Sequence, residues 1–110
     1  MAIDLFGINA VGANGNKVGA SVTGPWLDTR STVGKVYPYR ITAYGSTFGG
    51  GNVIIERIDG DNTIAANVIQ VGLLAAAGQS LVVDAPTDYI RARTDANVTG
   101  TVQVLLAQTA

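Results

Sequence analysis

The chain contains no histidine and no cysteine. Histidine is the commonest general base and metal ligand, and cysteine is the strongest thiol nucleophile, so their absence excludes most hydrolytic mechanisms and thiolate zinc sites. The carboxylates that remain are Glu56 and seven aspartates, most of them in turn-like segments where local hydrogen bonding explains an aspartate. We therefore expect no enzymatic activity, no catalytic residues, no cofactor and no bound metal.

Charge is also scarce. Charged residues make up 14% of the chain and hydrophobic residues 47%, whereas an ordinary soluble domain carries about 25% charged residues. Mixed surface charge normally keeps a small monomer from associating, so this composition predicts contact with other protein subunits. A glycine-rich and threonine-rich β domain that is simply neutral remains the alternative.

Neither nucleic acid nor a membrane is an expected partner. The net charge is −1 and the chain has only two lysines, Lys17 and Lys35, so no long-range field attracts a polyanion. From Asn62 to Val83 there is no charged residue, but polar residues interrupt this stretch and a bilayer span needs roughly 20 predominantly apolar residues. The first residues do not resemble a secretory signal, so we expect synthesis in a cytosol.

Turn-forming residues recur at short intervals, and runs rich in Val, Ile, Thr and Tyr lie between them. This pattern is typical of β-sandwiches and barrels. We predict one all-β domain over residues 1–110, an antiparallel, jelly-roll-like β-sandwich in which residues 1–16 form an arm or a peripheral strand. The predicted strands are Lys17 to Thr23, Val36 to Tyr44, Asn52 to Ile58, Ser80 to Asp84, Asp88 to Thr94 and Gly100 to Ala107.

Two hairpins are predicted from the turn residues. Asp59-Gly60 tolerates positive φ and therefore joins Asn52 to Ile58 with the segment that follows. The same argument pairs Asp88 to Thr94 with Gly100 to Ala107. The segment Thr63 to Ala77 is open between strand, loop and short helix, because its apolar residues also recur at helical spacing, and we favour strand and loop.

Period-two alternation predicts the buried face of each main strand. The predicted core is Tyr39, Ile41, Ala43, Val53, Ile55, Ile90, Ala92, Val102, Val104 and Leu106. Ile54, Ile58 and Leu105 fall on the opposite faces, which predicts either a subunit contact or cover by an arm or loop of the same chain. As interface residues, each would contribute about 1.5–3 kcal/mol when fully buried.

Arg91 and Arg93 complete the candidate interface because they are two residues apart and share a strand face. They could meet a carboxylate surface, but a solvated face or pairing with Asp84 or Asp88 is the preferred interpretation. Trp26 is predicted to be a core plug or a loop anchor rather than a sugar-stacking platform.

The turn from Asp59 to Asn62 places several oxygen ligands close together. An EF-hand loop needs further ligands that end in a bidentate glutamate, and none follows at that distance. The sequence therefore predicts a hairpin turn at these residues rather than a calcium site.

A wider pattern links two parts of the chain. The segment Ile41 to Glu56 places a glycine-rich turn before an alternating strand, and Ala85 to Arg93 followed by Gly100 to Leu106 looks like a closing hairpin. This pattern, over roughly the last two-thirds of the chain, resembles small virion structural proteins of tailed bacteriophages. That group includes capsid decoration or cement proteins and other minor β-sandwich components.

The resemblance implies a bacteriophage virion structural protein, located in the virion and assembled in the host cytoplasm. The first expectation is a capsid decoration protein that stabilises the head by binding across capsid subunits. Its partner would be the major capsid protein or another virion protein, and we expect a homo-oligomer, with a trimer favoured. The alternatives are a tail, baseplate or fibre component and a carbohydrate-binding or adhesin-like module.

Overall fold

The computed structural model describes residues 2–7, 18–29, 38–45, 48–84 and 87–108. Across these residues the fold is all-β, with two antiparallel four-stranded sheets and one short 3-10 helix, Ala65–Asn67. The described residues include no helix that is long and apolar enough to cross a membrane. The strands are β1 (Ala2–Asp4), β2 (Leu27–Asp28), β3 (Tyr39–Gly45), β4 (Val53–Ile58), β5 (Ile69–Leu74), β6 (Ser80–Val83), β7 (Tyr89–Thr94) and β8 (Val102–Gln108).

The strand order matches that of one long hairpin whose paired strands are distributed over two sheets. Sheet A has the order β1-β8-β3-β6, and sheet B has the order β2-β7-β4-β5. The antiparallel pairs β1·β8, β2·β7, β3·β6 and β4·β5 are those of a single long hairpin whose tip lies between β4 and β5. Two more pairs, β3·β8 and β4·β7, join these ribbons side by side, so successive ribbons of the hairpin fall in different sheets.

Most of the predicted strands are present. β3, β4, β6, β7 and β8 overlap their predicted ranges, and the hairpin at Asp59-Gly60 is confirmed because β4 pairs with β5. Thr63 to Ala77 contains the 3-10 helix and β5. The predicted strand from Lys17 to Thr23 is wrong for the residues described, since Val18 and Thr23 form only isolated bridges.

The second predicted hairpin is wrong, and with it the closing hairpin of the sequence pattern. β7 pairs with β2 and β4, whereas β8 pairs with β1 and β3 in the other sheet. The connection crosses between sheets, and Asp95 fixes its start by accepting hydrogen bonds from the backbone N–H groups of Asn52 and Asn97, both at 3.0 Å. Turn residues predict a change of chain direction, but they do not reveal which sheet the next strand joins.

The predicted core is confirmed. All ten predicted residues are fully buried and belong to one cluster between the two sheets. The same cluster contains residues that lie outside the alternating runs and were not predicted, namely Leu5, Phe6, Leu27, Phe48, Leu74, Val83 and Val98. Local alternation therefore identifies the buried residues of the main strands. Residues of the peripheral strands and loops complete the core.

One side of the sandwich is closed by the turn after β1. Leu5 and Phe6 enter the core, and the Leu5 N–H donates to the Val104 carbonyl at 2.9 Å. Gly24 packs against this turn so closely that a Cβ atom there would lie 2.7 Å from the Leu5 carbonyl oxygen. The described part of the predicted arm is thus a peripheral strand and a core-filling turn, and residues 8–16 lie outside the described residues.

For two of the candidate interface residues the structure agrees with the second of the two predicted alternatives, cover by the same chain. Ile54 is 8% exposed and Ile58 is 0% exposed, although neither belongs to the core cluster. Leu105 is half-buried on the outer face of sheet A. Periodicity assigns a side chain to a face, but it does not show what the rest of the chain places over that face. Ile54 and Ile58 are covered within the monomer.

Ile55 and Ile69 offer a matched test of the core, because Ile55 is fully buried and Ile69 is 49% exposed. We expect Ile55→Ala to lower the free energy of unfolding by about 2–5 kcal/mol. Ile69→Ala should lower it by about 1 kcal/mol or less. Urea unfolding followed by circular dichroism measures both. Equal losses in the two variants would contradict the assignment of the inner face.

Candidate interaction surfaces

A group of charged side chains lies on the outer face of sheet B, where β4 and β7 pair. The register places Glu56 opposite Arg91, and Arg93 lies two residues farther along the same face. Arg91 Nε donates to Glu56 Oε1 at 2.9 Å, and Arg93 Nε lies 3.1 Å from Glu56 Oε2. The Glu56 carboxylate thus bridges two arginines with one oxygen for each.

Trp26 joins this group from the edge of the sheet. It immediately precedes β2, which pairs with β7, and the Arg91 guanidinium carbon lies 4.2 Å from the centroid of its ring. Trp26 is half-buried and lies outside the core cluster, so of the two predicted roles the core plug is excluded and the loop anchor remains. We call Glu56, Arg91, Arg93 and Trp26 the charged cluster.

Burial increases towards the centre of the charged cluster. The side chain of Arg93 is 36% exposed, that of Arg91 is 23% exposed and that of Glu56 is 9% exposed. Ion pairs on an open surface contribute little because water and salt screen them, whereas partly buried pairs are screened less. The charged cluster is therefore better fixed than ordinary surface ion pairs.

The sequence placed Arg91 and Arg93 on one face but assigned them the wrong local partners. Asp88 instead accepts a hydrogen bond from the Gly60 N–H at 2.8 Å, and no ion pair joins Asp84 to either arginine in the described part of the chain. The true partner, Glu56, lies 35 residues before Arg91. Only the pairing of β4 with β7 brings them together, and no local pattern encodes that pairing.

The oxygen-rich turn after β4 uses its oxygens within the protein. Asp61 Oδ1 accepts hydrogen bonds from Thr63 Oγ1 at 2.6 Å and from the Thr63 N–H at 2.9 Å, and these bonds hold the pKa of the Asp61 carboxyl below its ordinary value. Asp59 Oδ1 accepts from the Asp88 N–H at 3.0 Å, which ties the turn to the start of β7. Among the residues that the structure describes, no three acidic side chains are grouped to hold a metal.

The second surface is the side of the sandwich opposite the closed turn. β5 is the edge strand of sheet B and β6 is the edge strand of sheet A, and residues 75–79 connect them. Over the described ranges, β5 pairs only with β4 and β6 pairs only with β3. Within the described residues, each strand therefore has one side without a paired strand. We call β5, β6 and their connection the open edge.

The open edge is built from the charge-free stretch, residues 62–83. Ile69 and Leu73 are 49% exposed and Val82 is 48% exposed; with Ile64 they are four of the five exposed large hydrophobic residues in the described chain. Natural edge strands usually carry lysine, proline or a bulge that opposes pairing with other chains. β5 has one register shift against β4, but neither β5 nor β6 contains lysine or proline.

A cleft of about 270 Å³ lies between the two strands of the open edge. Its lining is mainly aliphatic and consists of Ile69, Val71, Val82 and Val83 together with Arg57, Gln70 and Asp84. Pockets for small-molecule ligands usually measure about 300–1,000 Å³. This cleft is smaller than such pockets.

Comparison with known proteins does not assign the chain to a family. No family model, no curated protein and no solved structure matches it. The functional argument therefore depends on the geometry of the charged cluster and the open edge, together with the composition of the chain.

Trp26 is the only tryptophan, so its fluorescence reports on the charged cluster. We expect Arg91→Gln to move the emission maximum to longer wavelength, because the guanidinium that covers the ring is lost and water replaces it. Arg93→Gln removes the same charge from the same strand face without a ring contact, and should leave the emission unchanged. Emission spectra of the folded variants, with folding checked by circular dichroism, test this. A wild-type spectrum from Arg91→Gln would refute the stacking.

Proposed function

We propose that this chain is a non-enzymatic virion structural protein of a tailed bacteriophage. In this proposal it is a capsid decoration or cement protein, which binds across capsid subunits and stabilises the head. Its partner is the major capsid protein or another virion protein, and it resides in the virion after assembly in the host cytoplasm. The observation that carries the proposal is the open edge, where two charge-free edge strands expose large apolar side chains.

The physical chemistry of the open edge favours assembly. Unpaired N–H and C=O groups of an edge strand accept a strand from another chain, and exposed apolar side chains add to the contact. Burying the remaining exposed half of Ile69, Leu73 and Val82 would contribute about 1 kcal/mol each. Repetition of such contacts over a lattice multiplies a weak individual affinity. A protein that acted alone would gain no stability from this surface and would risk aggregation.

We infer that the sandwich has jelly-roll connectivity. The pairing of β1 with β8, β2 with β7, β3 with β6 and β4 with β5 supports this, because a jelly roll is an eight-stranded double sheet built from two Greek keys. Jelly rolls occur in viral capsid and lectin domains. The fold is therefore consistent with a virion role but does not by itself imply one. An arm over residues 1–16 belongs to the same proposal.

A homo-oligomer, with a trimer favoured, or a subunit docked on a lattice completes the proposal. A tail, baseplate or fibre component remains the alternative within a virion, since the open edge suits any subunit contact. A carbohydrate-binding module needs several exposed aromatic rings in one strip. Tyr44 is exposed on β3 of sheet A, whereas Trp26 lies against Arg91 at sheet B. This separation does not favour glycan binding.

Leu73→Lys and Val82→Lys test the open edge. Each places a charge on an edge strand at a half-exposed position, which opposes strand addition without disturbing the core. We expect both chains to fold, and we expect self-association or incorporation into particles to fall by about tenfold or more, which corresponds to roughly 1.4 kcal/mol. Light scattering after size-exclusion chromatography measures the first quantity, and subunit copy number in purified particles measures the second.

Tyr44→Lys is the matched control for these substitutions. Tyr44 is 45% exposed, but it lies on β3, which is paired on both sides within sheet A. We expect the Tyr44→Lys chain to self-associate and to be incorporated into particles to the same extent as the unsubstituted chain. Normal assembly of the Leu73 and Val82 variants as well would exclude the open edge as the contact. Electron microscopy of the virion with this subunit located would distinguish a head position from a tail position.

A further inference from the structure

We propose that the charged cluster is a binding site for a single carboxylate group, of the kind that an aspartate or glutamate side chain on a partner protein carries. The site lies on the outer face of sheet B and shares no residue with the open edge. It therefore stands whether or not the protein belongs to a virion.

The two arginines have hydrogen-bond donors to spare. A guanidinium has five N–H donors. Arg91 donates only Nε to Glu56, and Arg93 forms an ion pair with the other carboxylate oxygen of Glu56 through Nε. Their terminal nitrogens have no partner in the described part of the chain and are not among the buried nitrogens without a hydrogen bond. Both side chains are partly exposed, 23% for Arg91 and 36% for Arg93, so each arginine has N–H donors left for a ligand, in the fork geometry that matches a carboxylate.

The charge of the cluster fits one carboxylate. Two arginines and one glutamate leave a net charge of +1, so a ligand with a charge of −1 neutralises the site. A phosphate monoester carries about −1.5 to −2 at neutral pH and overshoots this balance. A nucleic acid is disfavoured further because the whole chain has a net charge of −1 and offers no extended positive field.

The arginines are also held in place before a ligand arrives. Long side chains normally lose rotamer freedom on binding, which weakens affinity. Here Glu56 fixes both Nε atoms, and the ring of Trp26 supports the Arg91 guanidinium at 4.2 Å. The second arginine adds a partly buried positive charge that a ligand carboxylate would balance.

Nuclear magnetic resonance titration at low ionic strength tests the site with a defined probe, the capped tripeptide Ac-Gly-Glu-Gly-NH₂. We expect saturable shifts of the Arg91 and Arg93 Nε–H signals and of the Trp26 indole N–H signal. Ac-Gly-Gln-Gly-NH₂, which lacks the charge, should produce none. Absence of saturable shifts with the glutamate peptide, or tighter binding of inorganic phosphate than of that peptide, would overturn the proposal.

Three substitutions separate ligand binding from a structural role. Arg93→Gln should weaken peptide binding by roughly fivefold or more. Arg40→Gln is its matched control, because Arg40 is an exposed arginine on sheet A, and it should not change the affinity. Glu56→Gln raises the net charge of the cluster by one but keeps an amide oxygen that accepts an arginine N–H, so part of the ordering is retained and binding should tighten by about twofold or more.

Tighter binding by the Glu56 variant would not follow from a merely structural ion pair, because that variant breaks the pair. If Glu56→Gln does not fold, the comparison of Arg93→Gln with Arg40→Gln decides the question, since Arg93 is more than one-third exposed. Equal affinities of those two variants, or weaker binding by a folded Glu56→Gln chain, would contradict the carboxylate site.

Discussion

Burial of the inner faces of the two sheets against each other is the contact on which the other features depend. Tyr39 and Ile41 from sheet A and Ile55 and Ile90 from sheet B are all fully buried in one cluster. Each strand must keep its apolar face towards the partner sheet, because slipping by one residue would turn that face to solvent. The position of every outer side chain follows from this constraint, since successive residues of a strand alternate between faces.

The gap between the two sheets is filled on one side of the sandwich and bordered by edge strands on the other. On one side Leu5 and Phe6 fill the gap between the sheets, and Gly24 allows the backbone to approach them. On the other side β5 and β6 remain at the edges with Ile69 and Leu73 half exposed. A chain of this size has little material with which to cover both sides. The two strands on the side that stays open carry no charged residue, which is the reason the proposed protein contact is placed there.

The open edge and the charged cluster have complementary physical properties. Apolar contact and strand addition supply affinity but discriminate poorly between partners, whereas placed charges fix orientation and reject partners of the wrong sign. Glu56 matters to this division because it orders Arg91 and Arg93 while leaving an excess positive charge. Taken together, the two proposals describe a protein that takes a defined position in an assembly rather than associating non-specifically.

The sequence by itself determined the fold class, the inner faces of the main strands and the turn after β4. These features are local, because alternation and turn residues act over a few positions. Tertiary structure decided that β7 and β8 lie in different sheets, that Ile54 is covered within the chain, and that Glu56 is the partner of Arg91. Each of these depends on which strands become neighbours, and that choice is made by burial across the whole domain rather than by any short segment.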